Sequence, residues 1–193
     1  MTFKGAFALM LLLEMLALVL GVVAHGWSLE GLQAVTRYSG RVSLAIFSII
    51  FLFYNHPAIN IRKALSDKFF LVFAIAHGIH LVELVSFLYF SGSPIVPVRL
   101  LGGAVAYAMI FAMPLIQHQF ESQKISEKRF NQVALIYLYY VWFIFFMTYL
   151  PRVRGELPNA GGSYREFVIL LGWVSIMMGF KWSQLLGRPR QRR

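Results

Sequence analysis

The stretch AIAHGIHLVEL (Ala74–Leu84) places two histidines and a glutamate inside an apolar run over 68–90. A helix needs about 20 mostly apolar residues to cross a bilayer, so this run predicts a membrane span. An ionisable side chain at mid-membrane costs roughly 2.5–3.5 kcal/mol on insertion scales. His77, His80 and Glu83 therefore each call for a partner or a task, and the rest of the chain has to supply it.

The composition agrees with a membrane protein. Of 193 residues, 59% are hydrophobic and 13% charged, and the mean hydropathy is +0.66, well outside the make-up of a soluble domain. Cysteine is absent, which excludes disulfides, iron–sulfur clusters, thiolate metal sites and thiol catalysis. The net charge of +10 does not point to nucleic acid, because Lys and Arg lie mostly between the apolar runs and in the tail GRPRQRR (187–193). That tail reads as an anchor for anionic headgroups, with the lipid bilayer as the partner.

Six apolar segments are expected to form helices, at approximately 5–25, 37–54, 68–90, 99–117, 131–150 and 164–184. The fold class is thus all-α, a single transmembrane domain over 1–193 built as a six-helix bundle. In the second segment Arg37 and Arg41 leave only Val42 to Tyr54 as a clean apolar run. The first follows Lys4 as a signal peptide would, but it is longer than a typical signal core and carries Glu14 at its middle, so it is expected to be retained. SGSPIVP (91–97) and PNAGG (158–162) read as turns. Pro114 is expected to kink the fourth segment and Pro151 to end the fifth.

Lys and Arg divide twelve to six between the two sides, with Arg37, Arg41, Arg99, Arg152, Arg154 and Arg165 on the poorer one. By the positive-inside rule both termini are cytoplasmic.

Residues 77, 80 and 83 are spaced three apart and share one broad helical face. Three explanations fit them. The histidines can hydrogen-bond to neighbouring helices, as polar groups in bundles do. A metal ion or proton can be held by His77, His80 and Glu83 together with Glu14, since imidazole and carboxylate suit zinc or iron. Alternatively His80 can be the axial ligand of a b-type haem inside the bundle. Glu14 can also pair with His77 or His80 directly.

Three longer stretches give a likeness: AHGWSLEGLQAVTRYSGRVSLAIF (24–47), NIRKALSDKFFLVFAIAHGIHL (60–81) and SEKRFNQVALIYLYYVW (126–142). In pattern and loop length the chain resembles the ferric-reductase-like transmembrane domain family, most closely the haem-bearing membrane subunit of bacterial methionine sulfoxide reductase systems. The resemblance implies six helices around b-type haem in a bacterial inner membrane. It further implies electrons arriving from a cytoplasmic flavin reductase and leaving to an extracytoplasmic redox partner. On it His80 falls at the third-helix ligand and Arg41 on the arginine of the SGR motif. The two fifth-helix histidines are replaced by Ala134 and Met147. A Met147 thioether can serve as an axial ligand, and His/Met ligation raises the potential. His77, one turn before His80, is the reserve ligand.

His25, His56 and His118 lie near segment ends, where solvation is their ordinary state, and Arg37 and Arg41 can meet haem propionates or anchor helix ends to headgroups. Trp27 and Trp182 read as interfacial anchors. Phosphate loops, HExxH strings and nucleophile elbows are absent. The function expected is a membrane electron-transfer component, or a divergent relative of one, holding at most one b-type haem and serving as the haem-containing subunit of an oxidoreductase. The alternatives are a cofactor-free accessory or scaffold protein, and a metal or proton pathway through Glu14, His77, His80 and Glu83.

Overall fold

The computed structural model describes residues 1–92, 97–158 and 162–186, with side chains left undescribed also at 97–100 and 185–186. The chain forms α1 (Phe3–His25), α2 (Leu29–Phe53), a single turn α3 (Ile61–Ala64), α4 (Phe69–Ser91), α5 (Pro97–Glu121), α6 (Glu127–Val153) and α7 (Tyr164–Leu186). Six of these are long and apolar enough to cross a membrane, and no strand occurs among the described residues.

Local chemistry sets the helix ends. Thr2 Oγ1 accepts the Gly5 N–H at 3.2 Å and Ser28 Oγ accepts the Gly31 N–H at 3.0 Å, each satisfying a donor with no partner in the first turn. Gly26 (φ 68°) and Gly92 (φ 61°) close α1 and α4, a backbone region that glycine enters without steric cost.

Two boundaries differ from the sequence expectation. Helix α2 starts at Leu29, not near 37, because the Ser28 cap starts it early and Arg37 and Arg41 turn inward instead of facing lipid. Helix α6 runs through Pro151 to Val153, since a proline so near the C-terminus removes only one ladder bond. Pro114 likewise lies inside α5. The expected turns at 91–97 and 158–162 fall largely outside the described residues, as does the tail 187–193.

Both described termini sit at one end of the bundle. The Met1 ammonium donates to the Lys63 carbonyl, Lys181 Nζ donates to Tyr54 O at 2.7 Å, and Gln184 Nε2 donates to Leu52 O at 3.1 Å. This end is called the Asn55 end. Just beyond α2, the Tyr54 hydroxyl donates to Asn131 Oδ1 at 2.7 Å, and burial pushes its pKa above the usual phenol range. At the opposite, Gly26 end, Arg41 and Glu166 tie α2 to α7 at 3.1 Å.

Helix α2 is the axis of the bundle, packed on α1, α4, α6 and α7. Gly21 lets α1 approach it, because a Cβ there would strike Val35, the close backbone contact that small residues permit in membranes. Beneath, Phe47 packs its ring 5.5 Å from Phe73 and 5.3 Å from Phe145, joining α2, α4 and α6. Indole donors fix α7: Trp173 Nε1 reaches Ser48 Oγ and Trp142 Nε1 reaches Val174 O, both at 2.9 Å. Leu12, Val23, Ile136, Phe143 and Ile176 point outward, an apolar exterior suited to hydrocarbon.

Candidate functional site

The inward faces of α2, α4, α5, α6 and α7 leave a cavity of about 340 Å³ in the half of the bundle toward the Gly26 end. Its lining follows helical phase. From α2 come Gln33, Thr36, Arg37, Gly40 and Arg41; from α4, His77, His80, Leu84 and Phe87. Both sets recur at three- and four-residue steps, the spacing of a single helix face. The facing wall is Tyr107 of α5 with Val141, Ile144, Phe145, Thr148 and Tyr149 of α6.

The two imidazoles form the inner wall. The His77 ring stacks on Tyr107 at 4.8 Å and on Phe73 at 5.4 Å, and lies 5.4 Å from the His80 ring. The His80 ring packs on Gly40, where an added Cβ would lie 3.1 Å from Cε1, and it adjoins the Thr36 carbonyl. Buried Nδ1 atoms of both histidines lack a hydrogen-bond partner among the described residues. Buried polar atoms are nearly always paired, which sets these two apart from an ordinary core.

Arginines gather toward the Gly26 end of the same cavity. Arg41 is held by Glu166 and lies 5.2 Å over the Tyr38 ring. Arg152 donates to the Thr148 carbonyl and sits 5.5 Å over Phe167. With Arg37 they give the cavity cations at one end, neutral rings at the other and apolar walls between. Such a lining suits an amphipathic, anionic ligand.

Among the residues singled out by sequence, His77, His80 and Arg41 meet at this cavity. Met147 does not: it is 41% exposed on the outside of α6, because the cavity positions 141, 144, 145, 148 and 149 occupy the other side of that helix. Ala134 is buried and outside the cavity lining. Glu14 and Glu83 instead adjoin the Ser39 hydroxyl where α1, α2 and α4 meet. Among the described residues no three His, Asp or Glu side chains converge as a metal-ligand set. His25 and His118 are exposed, while His56 Nδ1 accepts the Ala58 and Ile59 N–H groups at 3.1 Å each and shapes a turn.

Sequence reasoning missed Gly40, Tyr107, Tyr149 and Arg152 as parts of the site. Arg152 carried a signal, being a charge beside Pro151 at a helix end. Gly40 carried one too, lying in the SGR motif. The two tyrosines were hidden among many aromatics, since only helix rotation separates a cavity tyrosine from a lipid-facing one.

A second hollow of about 580 Å³ opens at the Asn55 end, walled by Tyr54, Phe69, Phe120 and Phe130. Comparison of the chain with protein-family models, with curated proteins and with solved structures finds no match in any of the three.

Proposed function

We propose that this protein is a membrane electron-transfer component that holds a single b-type haem in the cavity between α2, α4, α5, α6 and α7. One observation carries the reading. Two buried imidazoles with unpartnered Nδ1 atoms face a cavity whose far end is lined by Arg37, Arg41 and Arg152.

The donor set fits a haem held from one side. His77 and His80 lie one turn apart on the same helix, so they cannot sit on opposite faces of one macrocycle, and a single histidine serves as ligand. His80 is assigned that role, because Gly40 fixes its ring against α2 while His77 is committed to stacking on Tyr107. The α6 wall presents no imidazole or thioether, so His80 would be the one strong ligand that this chain supplies. The arginines would pair with the propionates, and Leu84, Phe87, Ile144 and Leu170 would exclude water from the ring. Bound haem supplies one-electron chemistry, and the protein contributes orientation, axial ligation and local polarity, which set the potential.

With both termini cytoplasmic, the cavity lies in the outer half of a bacterial inner membrane. Electrons would enter from a cytoplasmic flavin reductase and leave to an extracytoplasmic acceptor. The test is an absorption spectrum of protein purified in mild detergent from haem-replete cells, with a pyridine haemochrome assay. A Soret band that falls sharply in His80→Ala is expected. Colourless wild-type protein would overturn the proposal.

A further inference from the structure

Away from the cavity, α1, α2 and α4 bring three polar side chains together inside the membrane span. Glu14, halfway along α1, is 6% exposed and Ser39 is 0% exposed. Neither Glu14 carboxyl oxygen, nor Ser39 Oγ, nor Glu83 Oε2 has a hydrogen-bond partner in normal geometry. The Ser39 hydroxyl nevertheless adjoins both carboxyls, and so stands between Glu14 and Glu83. Ser43, one turn further along α2, is also buried without a partner.

The donor count decides what such a group can hold. Two ionised carboxylates side by side in hydrocarbon combine the cost of each buried charge with mutual repulsion. Ser39 supplies one donor for several acceptor oxygens. One added proton completes the set: one carboxyl is then neutral, and Ser39, which adjoins both, donates to the ionised one. Nearby charged and titratable groups are few. Glu14 is the only acid of α1, α2 contributes Arg37 and Arg41 a short way along from Ser39, and α4 contributes His80, packed on Gly40.

We propose that Glu14, Ser39 and Glu83 form an intramembrane proton-binding site whose two carboxyls, linked through the Ser39 hydroxyl, share one exchangeable proton. It is a store placed beside the axis helix, separate from the cavity, and it stands whether or not the cavity takes a haem.

Dicyclohexylcarbodiimide tests this directly, because it enters hydrocarbon and reacts with protonated carboxyls. The carboxyl O–H adds across a C=N bond of the reagent, and acyl migration gives a stable N-acylurea with no leaving group. Protein reconstituted in phosphatidylcholine vesicles at neutral pH should take up one equivalent, mapped by peptide mass spectrometry to Glu14 or Glu83. The Glu14→Gln/Glu83→Gln double variant should take up none. An infrared spectrum of the same vesicles should show a protonated-carboxyl C=O stretch that shifts in D2O, which needs only the unaltered protein. Absence of both adduct and band overturns the proposal. Two equivalents, one on each glutamate, overturn the shared proton, and protection by sodium ions would assign the site to a metal cation instead.

Discussion

Replacing Gly40 by alanine acts on the contact that seats the His80 ring against α2. The new methyl carbon would stand 3.1 Å from His80 Cε1 and 3.5 Å from each ring nitrogen, so the imidazole must retreat by a few tenths of an ångström toward the cavity. Two effects oppose. Alanine improves the helix by about 0.5–1 kcal/mol, whereas forcing an extra methyl into a packed site costs about 1–3 kcal/mol. The net is a destabilisation of about 1 kcal/mol, or about 2–4 °C in Tm at this chain length. Gly103 of α5 supplies the control, because it lines the same cavity but a Cβ there meets nothing within 4 Å. Gly103→Ala therefore keeps only the helical gain and should raise Tm slightly. The assay is thermal unfolding followed by tryptophan fluorescence in mild detergent, alongside hemin titration, in which Gly40→Ala should bind on the order of tenfold more weakly, about 1.4 kcal/mol. If Gly40→Ala matches Gly103→Ala in both Tm and hemin affinity, His80 is not seated against α2 and the assignment of its role fails.

Ser48→Ala removes the acceptor of the Trp173 indole N–H in the buried seam between α2 and α7. It should cost about 1 kcal/mol, the net worth of a hydrogen bond that here is part-buried, read as a lower Tm. Met147→Leu, on the outward face of α6, should leave the hemin spectrum unchanged and stability within about 0.5 kcal/mol. The chain has no cysteine, so single substitutions map topology cleanly. Glu156→Cys should react with an impermeant maleimide on intact cells, and Lys124→Cys only after permeabilisation.

Much of the architecture was legible because hydropathy counts residues and a bilayer has a fixed thickness. All six apolar segments became long helices. Arg37 and Arg41 made the start of α2 hard to read, since a hydropathy profile cannot tell a cation facing a cavity from one that ends a span; Ser28 at the cap was the overlooked signal. Rotation about the helix axis was the larger obstacle. The spacing of His77 and His80 put both on one face, and the structure places both at the cavity. Whether Met147 shares a site with them depends on the phase of α6, which is aromatic and apolar on every side and so gives no periodic clue. The sequence groups Glu14 and Glu83 with the two histidines as one metal or proton pathway; the packing of three helices puts the glutamates beside Ser39 instead, a neighbour that the sequence does not reveal.

The central proposal is that His80 of α4 would hold a haem as its single strong ligand from this chain. Electron paramagnetic resonance of the oxidised, purified protein tests it most directly. The account predicts a high-spin ferric signal that is lost in His80→Ala and unaffected by Met147→Leu. A low-spin signal typical of two strong axial ligands, or no haem signal at all, would contradict it.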